Sequence, residues 1–437
     1  MQNIFENNLI NWVNKGNKKS LFYIKDTFIG LNGRWDYIVI DDMFEKIPEI
    51  FTKNNPYQKF FKMIKQHLKI NGHLIIAVNN KNVSEYFNST KIKNIFSHER
   101  MNKMLVASGF RKINTYYAYP SYKNIVSVYS DDYLPNSEEL SKNMYIFNED
   151  EMIKANDYPD YIKKLKSNFI DYTFSYIYDI QLINNKNKPH KIYTKYSIER
   201  DNKYKIKTEI LKKSNGEIVV RKYPFTEKTW EHIKNIKMWK NILGHRYSSV
   251  GILMNQCELK DDYIEFEYID GKSLETILDE YLKDDKIYEF EQLVKEYINV
   301  IKDKITGPGK FIKTDEFISI FGDVELNKEY TTSVINNIDL TLQNIIIKNE
   351  KWNIIDYEWV FRIMIPVDFI LYRSLFLYAH NRKSKKLHDK LIYEILGITK
   401  EEELIFQEME HNLQLYILGN EKTLDMMYLD YKSGLYE

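Results

Sequence analysis

Short apolar runs and helical spacings alternate through the first third of the chain. Trp35, Tyr37, Ile38, Val39 and Ile40 form one run, closed by Asp41 and Asp42, which predicts a buried strand. Phe60, Phe61, Ile64 and Leu68 then fall on one helical face over 57–68, and Asn71-Gly72 turns the chain into a second apolar run over 73–78. A further helix is predicted from Ser97, a suitable N-cap, to Gly109, a suitable residue just past a helix end. Strand, helix, strand at this spacing predicts a parallel sheet with crossover helices.

From 137 to about 190 the pattern blurs into charged clusters, a Tyr/Phe-rich piece over 169–178 and the polar run 184–188. This stretch, 136–190, is expected to be a helical connector. Past His190 the alternation becomes antiparallel, with strands predicted over 192–198, 204–211 and 218–223 and turns at Asp201-Asn202 and Ser214-Asn215-Gly216. A helix follows over 227–243, then strands near 251–257 and 263–268. The remainder is helical apart from two short strands, 344–348 and 352–356. Five strands with one inserted helix, then a helical lobe carrying a small β pair, is the order of a two-lobed kinase.

One segment of that lobe carries the chemistry. Asp339, then Asn344 five positions on, then Asp356 at the end of the next apolar strand match a catalytic loop and a metal aspartate. Phosphoryl transfer needs a carboxylate to orient and deprotonate an attacking hydroxyl, which suits Asp339. It also needs oxygen ligands for Mg²⁺, which suits Asn344 and Asp356. Lys222, on the third strand after His190, is placed to hold the α- and β-phosphates of ATP. Glu231 on the following helix, or Glu227, would anchor it as an ion pair. The backbone of Glu267, Tyr268 and Ile269, where the lobes should join, would meet the adenine edge.

These residues resemble the aminoglycoside and choline phosphotransferase branch of the kinase-like superfamily, in which Ile-Asp-aromatic follows the catalytic loop as Ile355-Asp356-Tyr357 does here. The 35–135 segment looks like the second half of a class I S-adenosylmethionine (SAM) methyltransferase, above all at 68–77 and Ala107-Ser108-Gly109-Phe110. The order methyltransferase-like, connector, kinase-like is similar to bacterial bifunctional methyltransferase–kinases of surface-polysaccharide loci. The resemblance implies an α/β partial Rossmann-like domain over 1–135 and an α+β two-lobed kinase-like domain over 191–437, with an N-lobe to about 270 and a helical C-lobe beyond. It also implies a glycan or sugar-containing acceptor and polysaccharide-assembly proteins as partners, while the lack of a visible targeting signal or spanning run predicts a soluble cytoplasmic protein.

Two departures qualify these expectations. No Gly-rich turn precedes Asp36, so no backbone amides are freed to approach a cofactor and SAM is not expected to bind. The first domain then reads as a truncated remnant kept for packing or docking. The 197–203 segment, which should cover the phosphates, has no glycine, and Asn337 stands where a His is usual two residues before the catalytic Asp. An ATP- and Mg-dependent phosphotransferase is the leading reading. A non-catalytic pseudo-methyltransferase/pseudokinase scaffold is the second, and a SAM-dependent methyltransferase the third.

Composition narrows the field further. With 63 Lys+Arg against 62 Asp+Glu the chain has no basic excess for nucleic acid. A single cysteine excludes an internal disulfide or a thiolate zinc cluster. The N-terminus lacks a secretory pattern, and the apolar run 363–377 is interrupted by Pro366, Asp368 and Arg373, so a buried helix with an Asp368–Arg373 pair is expected rather than a membrane span. The 35 tyrosines make packing the expected role of the Tyr-rich stretches 116–122 and 169–178.

Overall fold

The computed structural model describes residues 8–13, 19–25, 28, 30–52, 54–86, 96–135, 140, 145–148, 151–154, 157–183 and 189–433. Two compact units divide the chain. The first is Met1–Ile198, Lys207–Ile218 and Thr423–Glu437, and the second is Glu199–Ile206 and Val219–Lys422. The expected boundary near 191 therefore differs from the contacts, which group 191–198 and 207–218 with the first unit.

In the first unit, strands β1 (Leu21–Ile24), β2 (Trp35–Ile40) and β3 (Leu68–Asn79) run parallel, with Leu21 opposite Tyr37 and Tyr37 opposite His73. Helix Pro56–His67 makes the crossover from β2 to β3 and buries Phe60, Phe61 and Ile64, the face its spacing predicts. Helix His98–Ala107 starts where Ser97 accepts a hydrogen bond from the Arg100 N–H, as the N-cap reading requires. Strands β4 (Lys112–Ser121) and β5 (Asn124–Ser130) form a hairpin, and a short hairpin of β6 (Tyr145–Asn148) and β7 (Glu151–Lys154) follows.

The expected connector, 136–190, is only partly helical. Helices Pro159–Ser167 and Phe169–Tyr172 are there, but β8 (Ser175–Gln181) inserts between β3 and β4, antiparallel to both. Its Tyr/Phe content had the composition of a packed piece, and a strand flanked on both edges is where such residues pack best. β9 (His190–Tyr196) and β10 (Ile206–Lys212) extend the order to β1-β2-β3-β8-β4-β5-β9-β10. Glu209 on β10 is almost wholly buried, and Lys191 and Lys207 each approach it at 3.0 Å. Burying that carboxylate without partners would cost several kcal/mol, so the two ammonium groups are its condition.

In the second unit β11 (Ile218–Pro224) pairs antiparallel with β14 (Ile264–Glu267), which pairs with β13 (Cys257–Leu259). Helix Trp230–Ser248 lies between β11 and β12 (Leu253–Met254) in sequence. β12 joins a four-stranded sheet with β20 (Lys351–Ile354), β19 (Ile345–Lys348) and β15 (Lys272–Ser273). Two smaller pairs follow among the described residues of this unit. β16 (Gly309–Lys310) pairs with β17 (Thr331–Thr332), and β18 (Asn336–Asn337) pairs with β21 (Val360–Phe361). Helices Leu274–Lys283, Ile287–Asn299, Asp315–Phe321, Val367–Asn381 and Lys400–Leu418 supply the core, which includes Phe290, Tyr297, Phe321, Phe369, Tyr372 and Phe406.

From Val367 onward the apolar run 363–377 is a buried helix as expected, and among the described residues no helix is long and apolar enough to cross a membrane. The expected Asp368–Arg373 pair is not formed. Five positions apart on a helix, the two side chains do not share a face. Asp368 meets Lys302 at 2.7 Å and Lys328 at 3.8 Å, while Arg373 meets Glu410 at 2.9 Å.

Candidate functional site

The loop bearing Asp339 is fixed from three sides. Asn337, at the end of β18, accepts the Asp339 N–H on its side-chain oxygen at 2.9 Å. The side chain standing where His is usual therefore makes an Asx-type turn of its own. Ile338 donates its N–H to Trp359 O at 3.1 Å, continuing the β18–β21 pairing. Arg373, held by Glu410, donates from Nη1 to Ile338 O at 3.1 Å.

Asp339 is buried, and its Oδ2 accepts the Trp359 N–H at 2.7 Å. Among the described residues Oδ1 takes no hydrogen bond. Burial, reinforced by the Asp356 charge and opposed by Arg373 and the Trp359 N–H, pushes the Asp339 carboxyl up to about 7. Asn344 donates its side-chain N–H to Asp339 O at 3.0 Å, and its main-chain carbonyl accepts the Ile355 N–H at 2.9 Å. The amide group is thereby oriented with its nitrogen committed to the loop and its oxygen available.

Asp356 lies two residues past the end of β20 and has φ +53°, a left-handed conformation that Asp tolerates better than most residues. Its Oδ1 accepts from Lys222 Nζ at 2.6 Å. Lys222, buried on β11, also donates to Glu358 Oε1. Desolvation alone would lower the Lys222 pKa, but the Asp356 and Glu358 charges outweigh it and hold the ammonium firmly protonated. Glu358 in turn is desolvated yet kept well below the usual carboxylate range by Lys222, Arg200 and His232.

Four of the predicted residues thus cluster: Lys222, Asp339, Asn344 and Asp356. Glu231 does not join them. It is exposed on the first turn of helix Trp230–Ser248 and lies 3.6 Å from Lys234, and Glu227 is exposed in the preceding turn. The anchoring carboxylate is Glu358, two residues past Asp356, which the sequence reading passed over. His232, next to Glu231, faces inward instead, 3.8 Å from Glu358.

At the expected adenine position Glu267 has its N–H on Gln256 O at 2.9 Å and its carbonyl on Asn255 Nδ2 at 3.2 Å. Tyr268 and Ile269 follow with no main-chain hydrogen bond to any described residue. Their backbone groups, rather than those of Glu267, are open to a ligand edge. Gly271 then passes so close to β19 that a Cβ would sit 2.5 Å from Ile347 O, which fixes the chain where the strands give way to helix.

Asn344 and Asp356 offer two hard oxygen ligands of the kind Mg²⁺ takes when phosphate oxygens and water complete its shell. Among the described residues no cluster of three or more His, Cys, Asp or Glu forms a self-sufficient metal site.

No protein-family model matches the chain, and no curated protein matches it. Several solved phosphotransferase structures are similar to part of it. A macrolide 2′-phosphotransferase type I is 11% identical, with a TM-score of 0.26 over 55% of this chain and 86% of its own. The ADP-bound aminoglycoside phosphotransferase APH(2′′)-Ib is 16% identical, with a TM-score of 0.26 over 52% and 88%. Choline kinase from Cryptosporidium parvum Iowa II is 10% identical, with a TM-score of 0.27 over 53% and 87%. Likeness at this level leaves the chemistry of the site to its own residues and distances.

Proposed function

We propose that the second unit is an ATP- and Mg-dependent phosphotransferase acting on a hydroxyl of a glycan or glycan-linked metabolite. The observation that carries the proposal is the convergence of Lys222, Asp356 and Asp339, a protonated ammonium, a ligand carboxylate and a base from three separate elements. Asp339, fixed by Trp359 and Arg373, orients the acceptor hydroxyl through Oδ1 and takes its proton. The acceptor oxygen bonds to the γ-phosphorus as the bond to the bridging β–γ oxygen breaks, and ADP leaves. Lys222 holds phosphate oxygens and stabilises their charge. Mg²⁺, on Asn344 and Asp356, would supply charge neutralisation along the phosphates. The glycan acceptor and the polysaccharide setting rest on the family resemblance.

The first unit is proposed to lack SAM chemistry. In open α/β sheets ligands bind at the carboxyl ends of parallel strands. At the end of β2 the Tyr122 hydroxyl donates to Asp42 Oδ1 at 3.1 Å and Lys123 approaches Asp42 at 3.4 Å, while Tyr122 is itself buried. The tip of the β4–β5 hairpin thus packs where a cofactor would approach.

Thermal shift with ATP, with and without Mg²⁺, tests the proposal. A ligand at about 100 times its Kd stabilises by about 2.7 kcal/mol, or several degrees. A magnesium-dependent shift supports the phosphotransferase. No shift at millimolar ATP overturns it in favour of the scaffold, and a shift with SAM overturns the reading of the first unit.

A further inference from the structure

The 199–206 segment presents a chemical problem that its own contacts resolve. A phosphate-covering loop ordinarily offers free backbone N–H groups, and here three are already taken. Asp201 N–H donates to Ile417 O at 2.8 Å, Lys203 N–H to Asp201 Oδ1 at 2.9 Å, and Tyr204 N–H to Asp201 O at 2.7 Å. Side chains must therefore supply the positive charge. Two of the three cations in the segment are engaged away from the site: Lys203 lies over the Tyr204 and Tyr416 rings, and Lys205 pairs with Glu421 at 3.0 Å.

Arg200 is the exception. Its Nη1 lies 2.7 Å from Glu358 Oε2, while Lys222 occupies Oε1 of the same carboxylate. One buried carboxylate thus gathers a guanidinium and an ammonium beside Asp356. Two converging cations around an anionic group form the arrangement a polyphosphate needs, and the planar guanidinium suits two phosphate oxygens at once. The segment is also held firmly. Asn202 Nδ2 donates to Glu421 at 2.8 Å, and the Asn202 carbonyl accepts from Thr226 and Thr229 hydroxyls at 3.0 and 2.9 Å.

We propose that Arg200 is a phosphate-binding residue of the site: with nucleotide bound, Arg200 and Lys222 together hold its terminal phosphates, and Glu358 is the counter-ion they share in its absence. This rests on the phosphotransferase reading and replaces the missing glycine loop with a side-chain cation.

The test measures Kd for ATP, ADP and AMP, each with Mg²⁺, on the full chain by titration calorimetry. The variants are Arg200→Ala, Arg200→Lys, and Arg200→Ala combined with Glu358→Gln, which avoids leaving a buried carboxylate short of a partner. The expected result is a loss of ATP affinity on the order of tenfold in Arg200→Ala and in the double variant. AMP affinity should stay within about twofold, because AMP lacks the terminal phosphates, and Arg200→Lys should fall between. Equal weakening of ATP and AMP overturns the assignment, as does unchanged ATP affinity in the double variant. If the unaltered chain binds AMP and ATP but Arg200 is silent, only this inference falls. If it binds no nucleotide, the phosphotransferase reading falls with it.

Discussion

Lys222 Nζ lies 2.6 Å from Asp356 Oδ1, so the ammonium proposed for phosphate and the carboxylate proposed for metal neutralise each other directly. Lys222 is buried while Asp356 is 43% exposed, so loss of the carboxylate costs the ammonium more than the reverse. Replacing either should disturb nucleotide binding, whereas Asp339 makes no hydrogen bond to either group among the described residues.

The division of roles is testable on that basis. Asp339→Asn keeps an oxygen to accept the Trp359 N–H but removes the base, so kcat should fall by roughly 10²- to 10⁴-fold. Its ATP affinity should remain within about twofold of the unaltered chain. Asp356→Ala should instead weaken Mg·ATP binding by at least about tenfold. Calorimetry and initial rates on the two variants would show whether the effects separate; identical behaviour in both would defeat the assignment.

Arg373 supports the Asp339 loop through the carbonyl of Ile338. Arg373→Ala removes the ion-pair partner of Glu410, leaving it only Gln414, and frees Ile338 O, at a stability cost of about 3 kcal/mol. The displaced loop should lower kcat by on the order of 10²-fold with little change in ATP affinity. Arg373→Lys restores charge but not the fork, so it should recover stability better than rate. A kcat unchanged in both variants would remove Arg373 from any positioning role.

Gly419 has φ +60°, and a Cβ there would lie 2.5 Å from Asp201 Oδ2. Gly419→Ala should displace Asp201 and loosen the 199–206 segment. We expect a Tm lowered by a few degrees, for a cost of about 1–2 kcal/mol, and weaker ATP binding with AMP spared. Unchanged Tm and ATP affinity would show that the segment does not depend on this contact.

Glu45, buried near the end of β2, gives a pH signature in the first unit. Burial, with the Asp42 charge adding, pushes its carboxyl up to about 7. Between the ordinary Glu value and that one the folded chain keeps a proton the unfolded chain has released. Stability contributed by Glu45 is therefore full at about pH 4 and declines as pH rises toward 7, by roughly 3 kcal/mol in all. Glu45→Gln should raise Tm at pH 8 relative to the unaltered chain and leave the two alike near pH 4. Thermal unfolding across that range would refute the burial argument if the difference had the opposite sign.

Much of this architecture could be read from local pattern. The Pro56–His67 helix, the Ser97 cap, the β19–β20 pair and the spacing of Asp339, Asn344 and Asp356 all depend on neighbours within a few residues. Period, turn chemistry and short spacings are what such neighbours encode. Lys222 was legible too, because its strand and the order of strands around it were.

What the tertiary structure alone decided were pairings between distant residues of similar local appearance. Glu231 and Glu358 are both acidic residues at plausible separations from Lys222, yet one is exposed and the other buried against it. The insertion of β8 between β3 and β4, and the capture of Asp201 by Ile417, join segments about 100 and about 200 residues apart. No periodicity records a contact of that kind. The sequence set which residue types stand at the site and on which elements, and long-range packing chose among equivalent charges, because only burial beside a partner makes one carboxylate different from another.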